Sequence, residues 1–424
     1  MVVLLSVSMV ALKSYRSHTD RSEIIINQPL IKDKTVEQSR MTPRKKSNSF
    51  LLDEMGNEMS VIENHLFDLD DSSSFVSSFD ESSFEESSFE DSDGSDYLLN
   101  VSSMIFSVNK SSNLFQHGCY MRGTIKGKKK LLPKEKLEEL GCSQRPPKAI
   151  VFGVKKAGTT TLKEFLAFHP DVSVAPKELK FLNTNSLAKQ GLAKYASLMP
   201  YSLPGQIPIE KTPGYLVRWK CAGNLKRMIP DCKLIAILND PVHRAISDYV
   251  HLRYVEENRI GGASELSPKH ANKVPHYEAK STFEESVLYP NGSIKVWNTL
   301  LDTGLYYKHA KFWLDYFPAE NFLYLDANDL IHSPVQSLRE IEKFLGLRTF
   351  FSDDIFHFNE SKGFYCVRYP LYSCMPSGKG RPHPDVDEDV IKQLQEYFEP
   401  YNKMFSQLVN KTFSWTTYSE NFIS

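Results

Sequence analysis

Residues 149–161 read Ala149-Ile150-Val151-Phe152-Gly153-Val154-Lys155-Lys156-Ala157-Gly158-Thr159-Thr160-Thr161. The first four are an apolar run that reads as a buried strand. Gly153 to Gly158 reads as a turn. From Thr159 to His169, Leu162, Phe165 and Leu166 fall on one face at helical spacing. Strand, glycine loop and helix in that order open an α/β nucleotide-binding fold. An ordinary glycine turn between a strand and a helix has the same composition, so the loop alone leaves both readings open.

Two glycines five positions apart also match an ATP-binding phosphate loop, which needs Lys-Ser/Thr directly after the second glycine. Thr159-Thr160 follow instead, and the lysines, Lys155 and Lys156, lie inside the loop. No magnesium-binding partner is apparent, and no metal is expected. The physics of anion binding remains. Backbone N–H groups of the turn and the helix dipole favour an anion, and the threonine hydroxyls add donors. A loop lysine can stabilise charge that develops on a leaving group.

Later segments extend the pattern. Leu234 to Leu238 and Phe322 to Leu325 are strand candidates. Val242 to Tyr254 follows Asp240-Pro241 as a helix. Val335 to Phe344 is a helix started by Ser333-Pro334 and stopped near Gly346. Asp389 to Val409 is a long helix with an expected break near Pro400. Alternating strands and helices predict an α/β fold with a central parallel sheet flanked by helices. Residues 258–295 read as a surface insertion.

The first third differs. Between Leu66 and Tyr97 there are eleven Asp or Glu and no Lys or Arg, so a formal net charge of −1 leaves the rest of the chain at +10. That remainder suits a polyanionic partner, nucleic acid or acidic polysaccharide. Residues 13–145 predict a disordered acidic, serine-rich stem or linker. Residues 1–12 are apolar and read as a signal peptide or a truncated signal anchor. The six cysteines form no Cys-x-x-Cys pair; Cys366 and Cys374 have a spacing that can close a short loop. Asn100, Asn109, Asn291, Asn359 and Asn410 sit in glycosylation triplets. With the cysteine spacing they point to the secretory pathway.

The segment from Pro147 to Thr160 resembles the 5'-phosphosulfate loop of the Golgi carbohydrate sulfotransferases. Leu238-Asn239-Asp240-Pro241-Val242-His243-Arg244-Ala245-Ile246-Ser247-Asp248-Tyr249 is similar to their 3'-phosphate segment. Glu210-Lys211-Thr212-Pro213-Gly214-Tyr215 narrows the resemblance to the heparan sulfate glucosamine 3-O-sulfotransferases. Lys362-Gly363-Phe364-Tyr365-Cys366, Cys374 and Lys379-Gly380-Arg381-Pro382-His383-Pro384 do the same. The resemblance implies a P-loop-like sulfotransferase domain over 146–424. It implies 3'-phosphoadenosine 5'-phosphosulfate as donor and heparan sulfate, not nucleic acid, as partner. The expected location is the Golgi lumen, with membrane association through the N-terminus as a single-pass type II protein.

The roles it implies are specific. Lys156, Ala157, Gly158, Thr159 and Thr160 hold the 5'-phosphosulfate. Asn239 and Ser247 hold the 3'-phosphate. Tyr365 and Lys379, Gly380, Arg381, Pro382 and His383 close over the cofactor, with Cys366 bridged to Cys374. Glu178 matches the catalytic glutamate, Lys211 and Lys156 the lysines at the reacting centre, and Lys180 and Lys211 face the acceptor. Three residues depart from the family's usual choice: Lys180 for His, Asn183 for Asp and Asn239 for Arg. An uncharged donor at Asn239 gives a hydrogen bond weaker by about 1 kcal/mol, and Lys180 and Arg244 are the candidates to compensate. Two other readings are a heparan-binding homologue with weakened catalysis and a sulfotransferase acting elsewhere on the glycan.

Overall fold

In the computed structural model Ala149–Gly153 is the central strand of a five-stranded parallel sheet. The strands are β1 (Ala149–Gly153), β2 (Val172–Val174), β3 (Ile207–Lys211), β4 (Lys233–Leu238) and β5 (Phe322–Asp326), ordered β2-β3-β1-β4-β5. Every neighbouring pair is parallel. All of β1 is buried, as the covered middle strand of a two-sided layer must be. The helices that concern the site are α1 (Thr159–Leu166), α2 (Trp219–Met228), α3 (Pro241–Gly261), α4 (Tyr306–Leu314), α5 (Pro334–Leu345) and α6 (Glu388–Val409).

The structure describes residues 114–125, 127, 129–261, 279–375 and 381–418, with the backbone of strands Leu51–Leu52, Glu58–Met59, Tyr97–Val101 and Met104–Asn109. Two units divide the chain, 1–65 and 66–424. In the first, Leu51–Leu52 pairs antiparallel with Glu58–Met59. The sheet belongs to the second. The apolar segment 1–12 and most of the acidic stretch lie outside the described residues. No helix among the described residues is long and apolar enough to cross a membrane.

The strand order explains where a site forms. From β1 the chain turns to one side for β2 and β3, then crosses to the other for β4 and β5. In such open sheets the crevice lies beyond the carboxyl ends of the strands, where the direction reverses. Here those ends carry the glycine loop (β1), Glu178 (after β2), Lys211 (β3) and Asn239 (β4).

Several sequence expectations change. Part of the expected stem is ordered. Strands Leu114–His117, Tyr120–Arg122 and Lys129–Leu131 form an antiparallel sheet with Tyr97–Val101 and Met104–Asn109. Phe115 is fully buried and stacks on Phe168. The Arg122 guanidinium lies over the Phe168 ring and donates to the carbonyl of Ala167. A Cys119–Cys142 disulfide closes the segment. α6 runs unbroken through Pro400. Burial of Leu394, Phe398 and Phe405 along one face outweighs the roughly 3 kcal/mol that an interior proline costs. Within the expected insertion, Phe283 and Val287 are buried against Val242, Ala245 and Tyr249 of α3. β2 and β3 escaped notice because one is short and the other contains Pro208, a residue that argues against an interior strand.

His117 and His169 fix a stability prediction. His117 bonds through Nε2 to the carbonyl of His169 at 2.9 Å, and burial, then Arg122, lowers its pKa to about 3. Burial likewise lowers that of His169. Both are neutral when folded, so the unfolded chain binds more protons below about pH 6.5. Stability must fall as pH drops from 6.5 towards 3. His117 contributes about 1 kcal/mol of loss between pH 7 and 5.5. Urea melts at the two pH values should show the loss, and His117→Gln should reduce the difference.

Candidate active site

Gly153 ends β1 because nothing larger fits. A Cβ there would lie 2.7 Å from Leu216 Cδ2. Leu216 cannot yield easily: its N–H donates to Phe152 O at 2.9 Å and its carbonyl accepts from Trp313 Nε1 at 2.8 Å. The Val154 N–H donates to Ile237 O at 2.9 Å, tying the loop to β4. Lys156 and Gly158 then take left-handed backbone, φ 76° and 85°. For a lysine this costs about 1–2 kcal/mol, which the surrounding packing must offset. Gly158 precedes α1 with no side chain to cap it, so the first-turn N–H groups face outwards.

The neighbouring lysine has a different task. Lys155 Nζ lies 2.8 Å from Asp248 Oδ1 on α3, and Arg244 Nη1 donates to Asp248 Oδ2 at 3.1 Å. Burial works against the Asp248 charge, but Arg244 and Lys155 outweigh it and hold the carboxyl below its ordinary pKa. Arg244 is itself fully buried and donates its other terminal nitrogen to the Leu300 carbonyl. It therefore cannot compensate for Asn239. The Asn239 Oδ1 accepts from the Asp240 N–H at 2.9 Å, which leaves the Nδ2 amide as the side chain's donor. Asp240 Oδ1 caps α3 through the N–H groups of Val242 and His243.

His243, Ser247 and His251 line one face of α3 at single-turn spacing. Arg381 Cζ stacks 3.9 Å from the ring centre of Tyr254, near the far end of that face. Burial, then Lys155 and Lys156, lowers the His251 pKa to about 4. Burial, then His243 and Lys156, lowers that of His383. Lys155, Lys156 and Arg381 thus make the surroundings of His251 positive, and His243 and Lys156 do the same for His383. Pro382 is exposed beside them; Lys379 and Gly380 lie outside the described residues. Tyr365 sits in the hairpin Phe356–Asn359/Phe364–Val367, and its hydroxyl donates to His332 O at 3.4 Å. His332 ends helix Ala327–His332, whose Leu330 approaches Gly158. The Cys366–Cys374 disulfide holds the hairpin.

On the other side of β1, Lys211 Nζ meets Glu178 Oε1 at 2.6 Å. The lysine is largely buried and the carboxylate is about one third exposed, at 35%. A second carboxylate, missed from sequence, sets this geometry. Glu210 is fully buried and accepts from Thr212 Oγ1 at 2.5 Å, Tyr215 OH at 3.0 Å and Tyr195 OH. Burial pushes its carboxyl up, and these bonds with the Leu179 N–H pull it back. Thr212 Oγ1 also accepts from the Lys180 N–H, and Tyr215 OH from the Leu182 N–H, each at 3.3 Å. Glu210 thus stitches the Glu178 loop to the end of β3. Its signal was an ionisable residue directly after Ile207-Pro208-Ile209, where burial demands partners. Lys180 is exposed at φ 52°, and the Asn183 N–H donates to its carbonyl.

Asn291 and Asn410 are exposed and Asn359 is half-buried. Asn100 and Asn109 fall on Tyr97–Val101 and Met104–Asn109. No cluster of three or more His, Cys, Asp or Glu suited to a metal occurs among the described residues.

Residues 146–412 match the sulfotransferase domain family. A mouse protein, heparan sulfate glucosamine 3-O-sulfotransferase 5, is 35% identical over 285 residues, 66% of this chain and 78% of that one. The chain belongs to the heparan sulfate glucosamine 3-O-sulfotransferase family. Mouse 3-O-sulfotransferase 3B1 is 36% identical over 277 residues, covering 64% of this chain and 66% of its own length. Human 3-O-sulfotransferase 6 is 36% identical over 276 residues, covering 64% and 74%. Among solved structures, a sulfotransferase from Alicyclobacillus acidocaldarius aligns with 63% of this chain and 98% of its own, at 22% identity and a TM-score of 0.42. The fold and the reaction class are those of a sulfotransferase.

The positive surroundings of His251 carry a pH prediction. A phosphate bound there raises the His251 pKa from about 4, so binding takes up protons and strengthens as pH falls. Calorimetry with 3'-phosphoadenosine 5'-phosphate at pH 7.5 and 5.5 should show greater proton uptake in the parent protein than in His251→Gln. Equal uptake would remove His251 from the pocket.

Proposed function

We propose that this chain transfers a sulfuryl group from 3'-phosphoadenosine 5'-phosphosulfate to the 3-hydroxyl of glucosamine in heparan sulfate. The observation that carries the reading is the Glu178–Lys211 pair at 2.6 Å, set beside an anion-binding loop at the same sheet edge. The residues present fit the donor. The uncapped start of α1, Lys156, Thr159 and Thr160 suit the 5' end, and Asn239 and Ser247 suit the 3'-phosphate. Arg381, stacked on Tyr254, and His383 would close over the nucleotide between them.

When bound, the donor supplies the sulfuryl group, and the transfer is an in-line displacement that depends on positioning and charge. Glu178 accepts the proton of the attacking hydroxyl, a contribution of about 10²–10⁴-fold. Lys211, its stem buried, holds Glu178 in place and offers positive charge at the reacting oxygens. From the loop, Lys156 would offer positive charge to the departing nucleotide, and Lys180 is exposed on the proposed acceptor side. We place the protein in the Golgi lumen, tethered through its N-terminal segment. The sequons and the two disulfides support an oxidising, secretory compartment.

Incubation with labelled donor and N-sulfated heparan, followed by disaccharide mapping, tests the proposal. Label should appear at the glucosamine 3-position. Label at another position would refute the regiochemistry, and heparin binding without transfer would establish a binding homologue instead. Glu178→Gln should lower kcat by at least about 100-fold while nucleotide affinity stays within about twofold. Near-normal turnover would rule out Glu178 as the base.

A further inference from the structure

α2 leaves the Lys211 strand through the turn at Pro213–Tyr215 and packs directly against the Glu178 loop. Cys221 Sγ and Asn224 Nδ2 both donate to the Leu182 carbonyl, at 3.4 and 3.2 Å. Two connected hollows lie along this contact. The smaller is lined by Asn183, Val217, Arg218, Trp219 and Lys220. It shares Trp219 and Lys220 with a groove of about 400 Å³ that continues past Lys189, Gly223, Lys226, Arg227 and Tyr316. This volume is in the range of about 300–1,000 Å³ typical of ligand sites.

The lining is chemically one-sided. Arg218, Lys220, Lys189, Lys226 and Arg227 bring five cations, and no carboxylate lines either hollow. Trp219 is 43% exposed, and Lys220 Nζ lies 5.5 Å from its ring centre. Arg227 is held by Asn224 Oδ1 at 2.5 Å, which fixes the direction of its guanidinium. Gly223 weakens the middle of the helix but opens the floor, where an added Cβ would come within 3.4 Å of Tyr316.

We infer that this groove holds the sulfated, acidic polysaccharide chain on one side of the acceptor sugar. An indole face suits the C–H face of a pyranose, and spaced lysines and arginines suit the sulfates and carboxylates of its neighbours. The groove begins at Asn183, on the loop that carries Glu178, so a chain whose acceptor reaches Glu178 can continue into it. The inference rests on the proposed function for the identity of the chain. It adds a binding element that acts through acceptor affinity and not through the chemical step.

The test uses the full chain in a Trp297→Phe background, because Trp297 is the other strongly exposed tryptophan among the described residues, whereas Trp313 and Trp415 are buried. A heparin octasaccharide should change Trp219 fluorescence, and added salt should weaken the effect. An oligonucleotide of equal charge should compete poorly. Trp219→Ala and the double variant Lys220→Ala/Arg227→Ala should raise KM for long N-sulfated heparan about tenfold, as expected for lost charged contacts. Their kcat should stay within about twofold, and a short tetrasaccharide acceptor should be little affected. Unchanged KM for the long chain, with folding verified by circular dichroism, overturns the groove and leaves the proposed function intact. Octasaccharide binding at Trp219 without any sulfate transfer keeps the groove and overturns the function. Equal competition by the oligonucleotide overturns the assignment to polysaccharide.

Discussion

The Asp248 carboxylate is buried where the loop after β1 meets α3, ion-paired to Lys155 from the loop and to Arg244 one helical turn away. Removing one partner from such a buried group typically costs about 3–5 kcal/mol, because the remaining charge stays out of water. The contact therefore fixes the distance between the two ends proposed to bind the nucleotide's phosphates: the loop at one side and the Asn239–Ser247 segment at the other. It also divides the labour between adjacent lysines. Lys155 serves the scaffold, and Lys156 beside it takes left-handed backbone.

A second buried carboxylate does the same for the acceptor side. Glu210 draws Thr212, Tyr215, Tyr195 and the Leu179 N–H onto one point. The Glu178 loop is thereby held against β3 on a rigid element, as the base proposed here needs to be. Both carboxylates lie at the carboxyl edge of the sheet and flank β1. The parallel order β2-β3-β1-β4-β5 makes that convergence possible, since strand ends distant in sequence meet at one crevice.

Much of this was legible in the residues. The run Ala149 to Phe152, the glycines and the apolar spacing after Thr159 gave strand, loop and helix, and the missing lysine after Gly158 turned the loop away from ATP. Other features depend on pairings that no local pattern reveals. Pro208 disguised β3, although its carbonyl still accepts from the Lys148 N–H at 2.9 Å. The polar stretch before Pro146 hid Phe115 and Arg122, because their partners, Phe168 and Ala167, come some fifty residues later; the Cys119–Cys142 bridge closes over a separation of 23 residues within it. Arg244 read as a candidate to compensate for Asn239, yet its direction is set by Asp248 and Leu300, which only the folded chain brings together.

The central claim is that one nucleotide spans the pocket from the loop to α3, with the acceptor entering on the Glu178 side. A crystal structure of the protein soaked with 3'-phosphoadenosine 5'-phosphate tests it most directly. The expected result is a 5'-phosphate on the N–H groups of 156–160 and a 3'-phosphate against Asn239 and Ser247, with Glu178 and Lys211 facing the open side. A nucleotide seated anywhere else, or with its two phosphates reversed, would contradict the account.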